Sequence, residues 1–224
     1  PVLLLVTPKK QQLINLGVDY EISKTTLLKA EAAMSDYDIN TFSKVNNGDD
    51  KGFAGRIQLQ DKRILKESSK LELQTGIDYE FVQQKFRPLE RLRTVEFSRD
   101  WGLVLQAQPA TENILRLSAG LNNNRKQSIN YRFTNYHRSD NYKGFQNMLA
   151  YRADWKGWEL NNELVLTNFN TLADKGSFFR PTIDIGKQFK KLDDWKLGFR
   201  YMQEHNEVRN KATDTISLLA FSFD

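Results

Sequence analysis

The sequence predicts an all-β protein: a single domain over residues 1–224, built as an antiparallel up-and-down meander of about twelve strands. Two patterns and one absence predict it. Apolar and polar residues alternate with period two in segment after segment, which sorts them onto opposite faces of a strand. The segments run about ten residues and are parted by polar turns. No long helical segment alternates with them, as the βαβ units of an α/β protein would require.

Leu13 to Ile22 opens the series, setting Ile14, Leu16, Val18, Tyr20 and Ile22 against Asn15, Gly17, Asp19 and Glu21. In residues 25–35 the composition, TTLLKAEAAM, favours a helix. The alternation of Leu28, Ala30, Ala32 and Met34 with Lys29 and Glu31 decides for a strand. A strand at 53–65 precedes the clearest signal, Lys70 to Phe81, where Leu71, Leu73, Thr75, Ile77, Tyr79 and Phe81 oppose Glu72, Gln74, Gly76, Asp78 and Glu80. In LERLRTVEFSRDWGLVLQ (89–106), Leu89, Leu92 and Val95 share a helical spacing. Strand parity runs further, with Arg91, Arg93, Val95, Phe97, Arg99, Trp101, Leu103 and Leu105 on one face, so a long strand is expected over 91–106. Strands at 113–122 and 128–136 lead to Phe145–Trp155 and Trp158–Leu166; strands at 178–189, Trp195–Tyr201 and 214–223 complete the set.

The turns agree. Lys156-Gly157 makes a tight reversal between two tryptophans, Asn122-Asn123-Asn124 favours left-handed backbone, and residues 45–52, VNNGDDKG, have loop composition throughout.

Charged residues make up 27% of the chain and mean hydropathy is −0.62. No apolar run is long enough for a transmembrane helix, which leaves a barrel open because only alternate residues of its strands face lipid. The absence of cysteine removes disulfides and thiolate chemistry. Net charge +5 and a pI near 9.3 raise the question of nucleic acid. However, 28 acids are mixed among 33 bases with no long basic run, so nucleic acid is not an expected partner.

The pattern of the two faces points to a membrane. One face is rich in aromatics. The other carries Glu72, Asp78, Glu80, Arg116, Arg132, Arg152, Asp154, Glu159, Glu163, Arg180, Asp184, Lys196, Arg200 and Glu204. Transmembrane strands need about 9–11 residues, more than the usual soluble strand. Trp155 and Trp158 bracket one reversal and Phe189 and Trp195 another, as an interfacial girdle requires. Tyr79, Trp101, Tyr151, Trp155, Trp158, Trp195 and Tyr201 are the expected membrane-interface aromatics, and the charges are expected to face a lumen, crossed by Arg–carboxylate ladders or without strong ion selectivity. Two observations resist this. Arg99 shares the parity of Val95, Phe97 and Trp101, and an arginine facing lipid at midplane costs about 2–4 kcal/mol. The long loop at 36–52 is also out of phase with the short turn at Lys156-Gly157, which implies a miscounted strand between 53 and 143.

SDYDINTFS (35–43) and FRPLERLRTVEFSRDW (86–101), followed by repeated ten-residue strands, resemble segments of large outer-membrane β-barrel proteins of Bacteroidota-type bacteria. The resemblance implies a barrel, or a large part of one, in the bacterial outer membrane, and carries over no functional residues. The opening PVLLLVTPKK lacks a methionine, and the ending LLAFSFD places Phe223 one short of the terminal aromatic usual in such proteins. A piece of a larger barrel is therefore expected. Its expected role is transport, pore formation or membrane assembly without catalysis. Membrane lipid and other outer-membrane or lipoprotein subunits are its expected partners, and no cofactor is expected. The rival reading is a soluble periplasmic or surface sheet that binds lipid, glycan or protein along its aromatic face.

Catalytic and metal signals are sparse. His137 and His205 fall in predicted turns, and Ser139 beside His137 is the one local hint of a hydrolase. Asp36, Asp38 and Asn40 match the first three oxygen ligands of a calcium loop, but Thr41 and Asn47 stand where glycine and glutamate are needed. Only weak calcium binding, with Asp49 and Asp50, is left to this loop. The pairs Asp78 with Glu80 and Glu159 with Glu163 are neighbours on a wet strand face rather than a glycosidase pair.

Overall fold

The computed structural model describes residues 7–42, 50–103, 108–123, 127–189 and 195–223. Eleven strands follow one another: β1 (Lys10–Glu21), β2 (Thr26–Asp38), β3 (Lys51–Lys66), β4 (Leu71–Val82), β5 (Glu112–Asn123), β6 (Gln127–Arg138), β7 (Lys143–Trp155), β8 (Trp158–Asn170), β9 (Asp174–Phe189), β10 (Trp195–Asn210) and β11 (Ile216–Phe223). They form one antiparallel sheet in strict sequence order, so the chain is an all-β meander. The sheet is not closed: one edge of β1 and one of β11 are unpaired among the described residues.

The expected strand at 91–106 is absent over residues 91–103, and 104–106 lie outside the described residues. Residues 83–111 instead connect β4 to β5, with one four-residue helix, α1 (Phe97–Asp100). Helical spacing, not strand parity, puts Phe97 and Trp101 on one side, where both rings meet Tyr136 at centroid distances of 5.4 and 5.3 Å. Alternation failed here because the segment folds against a surface that accepts aromatics and arginines together. Removing this strand also restores the phase of the loops. The connections after β2, β4, β6, β8 and β10 leave from one end of the sheet, and those after β1, β3, β5, β7 and β9 from the other.

Elsewhere the periodicity holds. Thr26–Asp38 is a strand despite its helical composition, because Leu28, Ala30, Ala32 and Met34 align with Tyr20, Val18, Leu16 and Ile14 on one face. Lys156 and Gly157 both take positive φ, 50° and 80°, as a two-residue type I′ hairpin demands. Asn122 and Asn123 end β5, whereas Asn124 lies outside the described residues, as do 43–49; Gly52, expected in a loop, belongs to β3. His137 and His205 are not in turns but within β6 and β10.

Register divides the sheet into two chemically different faces. Ile57, Tyr79 and Leu115 align across β3–β5 on one face; Arg56, Asp78 or Glu80, and Arg116 lie on the other. The described residues of the inward segment, 83–103 and 108–111, pack on the charged face and reach almost the whole width of the sheet. Gln11 of β1 donates to the carbonyls of Arg87 and Pro88 at 3.1 and 3.2 Å. The buried Ser35 hydroxyl of β2 accepts the Arg87 amide at 2.9 Å. At the far side Arg180 of β9 holds Asp100, and Val208 of β10 packs on the aromatic cluster. One segment can touch β1 and β10 together only if the sheet curls around it, so the charged face is concave.

The core sits in this concavity, not between two layers. Trp101 from the segment joins Ile114, Tyr136, Tyr142, Phe169 and Phe178 from the sheet, all buried. Tyr142 donates its hydroxyl to the Trp101 carbonyl at 2.5 Å, and the Phe169 ring stacks on Tyr142 with 10° between planes. Glycines make the room. A Cβ on Gly52 would lie 2.2 Å from the Phe86 backbone nitrogen, and one on Gly144 would meet the Trp101 ring at 3.0 Å. Gly52→Val is therefore expected to unseat the inward segment while leaving the strands paired. Limited trypsin digestion should cut this variant after Lys85 and spare the wild-type protein there; equal resistance would contradict the seating.

Candidate functional site

The candidate site is the concave face together with the segment folded against it. Strand register places Glu72, Asp78, Glu80, Arg116, Arg132, Arg152, Asp154, Glu159, Glu163, Arg180, Asp184, Lys196, Arg200 and Glu204 on this face. Many are joined. A continuous ladder runs from Arg56 through Asp78 (2.7 Å) to Arg116 (3.3 Å) and Glu80 (3.4 Å), then through Arg93 to Glu112 (2.7 Å), Arg138 (3.3 Å) and Asp140 (2.8 Å). Shorter pairs flank it: Lys62 with Glu72, Lys196 with Glu159, and Arg200 with Asp184. Arg152 touches the Asn161 amide oxygen, whereas Arg132 meets only the Met148 sulfur at 3.9 Å.

Arg93 is the rung that ties the inward segment to the wall. Its guanidinium bridges Glu80 on β4 and Glu112 on β5 and is largely shielded from water, as are both carboxylates. Burial works against its charge, but the two glutamates outweigh this and hold its pKa above the ordinary value. Its side chain also lies 5.0 Å from the Phe97 ring centroid. Arg138, with only 4% of its side chain exposed, spends its donors on Asp140, Glu112 and the Gln108 carbonyl. The ends of the segment are closed on each other, because the Gln84 amide donates to the Thr111 hydroxyl at 3.2 Å.

Arg99, which as a strand residue would have faced lipid, sits on α1 inside the concavity, near Glu204 and Asp100 at 3.8 and 3.7 Å. Trp101 is corrected with it. It is a buried core residue and not a membrane-interface aromatic. The remaining aromatics so assigned, Tyr79, Tyr151, Trp155, Trp158, Trp195 and Tyr201, are all exposed on the opposite, convex face.

That convex face forms a continuous band that carries few charges: Asp61 and Arg63 of β3, opposite Thr75 and Leu73, pair with each other at 2.6 Å. Between Phe53 and Leu59, Leu71 and Phe81, Phe145 and Trp155, and Trp195 and Gln203, every residue of its parity is apolar, aromatic or neutral. Two of its amides are partnered by tyrosines: the Tyr131 hydroxyl donates to Asn147 at 2.6 Å, and the Tyr79 hydroxyl to Asn113 at 2.7 Å. Lysines gather at the short-turn edge of the band, Lys156 over Trp155 and Lys187 over Trp158, at 4.8 and 4.7 Å. The surface is correspondingly large. A compact chain of this mass exposes about 10,500 Å², whereas this one exposes 16400 Å².

The catalytic and metal hints find no assembly. Ser139 is bound to Thr111, its hydroxyl accepting the Thr111 amide at 3.0 Å and its own amide donating to the Thr111 carbonyl at 2.9 Å. Its role is to pin the end of the inward segment. Asp38 and Asn40 use their side-chain oxygens on the amides of Asn40 and Phe42, in two successive local turns; Asp36 lies within β2 opposite Lys51, and Asp49 lies outside the described residues. Sequence reasoning missed Arg93, Glu112, Arg138 and the Tyr136–Tyr142 pair. Tyrosines flanking the short turn at 139–142 were the available signal, since a hydroxyl-bearing ring on the charged parity needs a partner to be buried.

Two measurements test this site. Arg93→Met leaves Glu80 and Glu112 without their shared cation, so it should cost about 3–5 kcal/mol. Adding Glu80→Gln and Glu112→Gln should restore most of the loss in urea unfolding. Asp140 is held below the ordinary carboxylate range, chiefly by the hydrogen bond from Arg138. A depressed folded pKa gives stability that is present above the unfolded value of about 4 and is lost as pH falls through the folded value. Asp140→Asn should thus be destabilising at neutral pH, and the gap from the wild type should close on acidification.

The chain matches no known family model, no curated protein and no solved structure, so what it does is read from the two faces of its own sheet.

Proposed function

We propose that this chain is wall and filling of an outer-membrane β-barrel, or a large part of one, with a transport, pore or membrane-assembly role and no catalysis. The observation that carries the reading is the segregation of charge. Apart from the Asp61–Arg63 pair at the lower end of β3, the convex band is uncharged, while most arginines and carboxylates turn inward. In hydrocarbon every backbone polar group must be paired internally, and a meander of long strands does this along each shared edge.

Loop asymmetry supports the same reading and orients it. Barrels carry short periplasmic turns and longer outer loops. The end with turns such as 156–157 and 67–70 then faces the periplasm, and the end bearing 39–50 and 83–111 faces outward. Trp155, Trp158 and Trp195 lie at the periplasmic border of the band, the level at which amphipathic rings sit. The partner of the band is membrane lipid. The free edges of β1 and β11 are where further outer-membrane strands or a lipoprotein subunit would pair. Within the barrel, residues 83–111 narrow the lumen and set what can pass.

Quenching by brominated lipids separates this from a soluble sheet that binds through its aromatic face. In vesicles, single-tryptophan variants retaining Trp155, Trp158 or Trp195 should be strongly quenched, and one retaining Trp101 spared. A protein that stays in aqueous buffer and shows no quenching at any of the three would refute the membrane reading.

A further inference from the structure

The concave face holds a second feature that the inward segment does not fill. Between that segment and the short-turn end lies a cavity of about 840 Å³, walled by β3 to β7. No residue of the inward segment lines it. Its bottom is cut by two glycines: Gly76 stands opposite Ser118, and Gly120 lies between Gln74 and Asn130 in register. The Ser118 hydroxyl and the Asn130 amide oxygen lie over these glycines, within 2.7 and 2.4 Å of where a Cβ would stand.

Polar side chains stand among apolar ones such as Met148 and Ala150 in the wall. Gln60, Gln74, Ser118 and Asn130 contribute amides and a hydroxyl. Of its cations, Arg56 and Arg116 are held by Asp78, and Lys62 by Glu72. Arg132 differs. It projects from the middle of β6, is exposed, and has no carboxylate partner among the described residues; its one polar contact is the Met148 sulfur at 3.9 Å. A planar guanidinium with unspent donors matches a carboxylate with two parallel hydrogen bonds. Amides around it suit hydroxyls. No aromatic ring stands on this parity in the wall, so stacking on a flat neutral ring contributes nothing and charge must anchor the ligand.

The geometry points to a binding site for a small polyhydroxylated carboxylate, of the class of acidic saccharides, with the ligand carboxylate on Arg132 and its hydroxyls on the surrounding amides. The site needs only the curl of the sheet around residues 83–111, whatever covers the convex face. It therefore stands or falls separately from the membrane reading.

Equilibrium binding to the whole chain, purified in detergent, tests it with glucuronate, glucose and inorganic phosphate as probes. Glucuronate should bind at least ten-fold more tightly than glucose, and phosphate should not displace it at equal concentration. Arg132→Gln should lower glucuronate affinity about ten-fold, which corresponds to roughly one bidentate charge-assisted contact. Arg152→Gln, outside the cavity wall, should not. Equal binding of glucose would overturn the carboxylate assignment, and equal competition by phosphate would overturn the saccharide assignment. Undiminished binding by Arg132→Gln with a native circular dichroism spectrum would remove the proposed anchor. If that variant does not fold, the ranking of the three probes on wild-type protein decides alone.

Discussion

The bond between Arg93 and its two glutamates is what the rest of this structure depends on. Glu80 and Glu112 lie diagonally across β4 and β5, opposite Ile114 and Val82, near the point where the chain leaves the sheet and returns. Like charges set this close repel, and a cation from the intervening residues removes the repulsion only if those residues turn inward. The ladder therefore gives the connection its direction. Once turned in, it presents Phe97 and Trp101 to Tyr136, and the aromatic cluster forms in a place where a bare concave sheet would hold only water.

Buried ion pairs are weak devices for stability, since desolvation offsets much of their attraction. Their value here is positional. Arg93, Arg138 and Arg180 each join an element of the sheet to a loop or to the inward segment, and each fixes one place on the concave wall. The apolar contacts that follow, Trp101 among Tyr136, Tyr142 and Phe169, supply the burial. The glycines at 52 and 144 set how closely the two surfaces approach, and Gly176 makes room for the Phe169 ring.

Most of the strands were legible in the sequence because a half-wetted strand writes its two faces into alternate residues. Lys70 to Phe81 shows this at its plainest, and even the helix-prone TTLLKAEAAM yielded to parity once Leu28, Ala30 and Ala32 had partners across β1. Residues 91–106 defeated the same logic. There the arginines answer to Glu80, Glu112 and Glu204, residues far off in the chain, and no local period records such partners. The ladder was foreseeable as a class of interaction. Its members Arg93 and Arg138 were not, since their partners are fixed only by the curl.

Strict neighbour pairing means that each hairpin can form as soon as its second strand exists, so the meander grows from local contacts with little loop-closure cost. The inward segment breaks this order. It is complete by Thr111, yet Tyr142, Phe169, Arg180 and Val208, which enclose it, come later in the chain. Phe97, Trp101 and Asp100 must wait, uncovered, for β7 to β10 to arrive. The last turns of the sheet thus act as the latch of the first, and the interior of this molecule is finished from its C-terminal side.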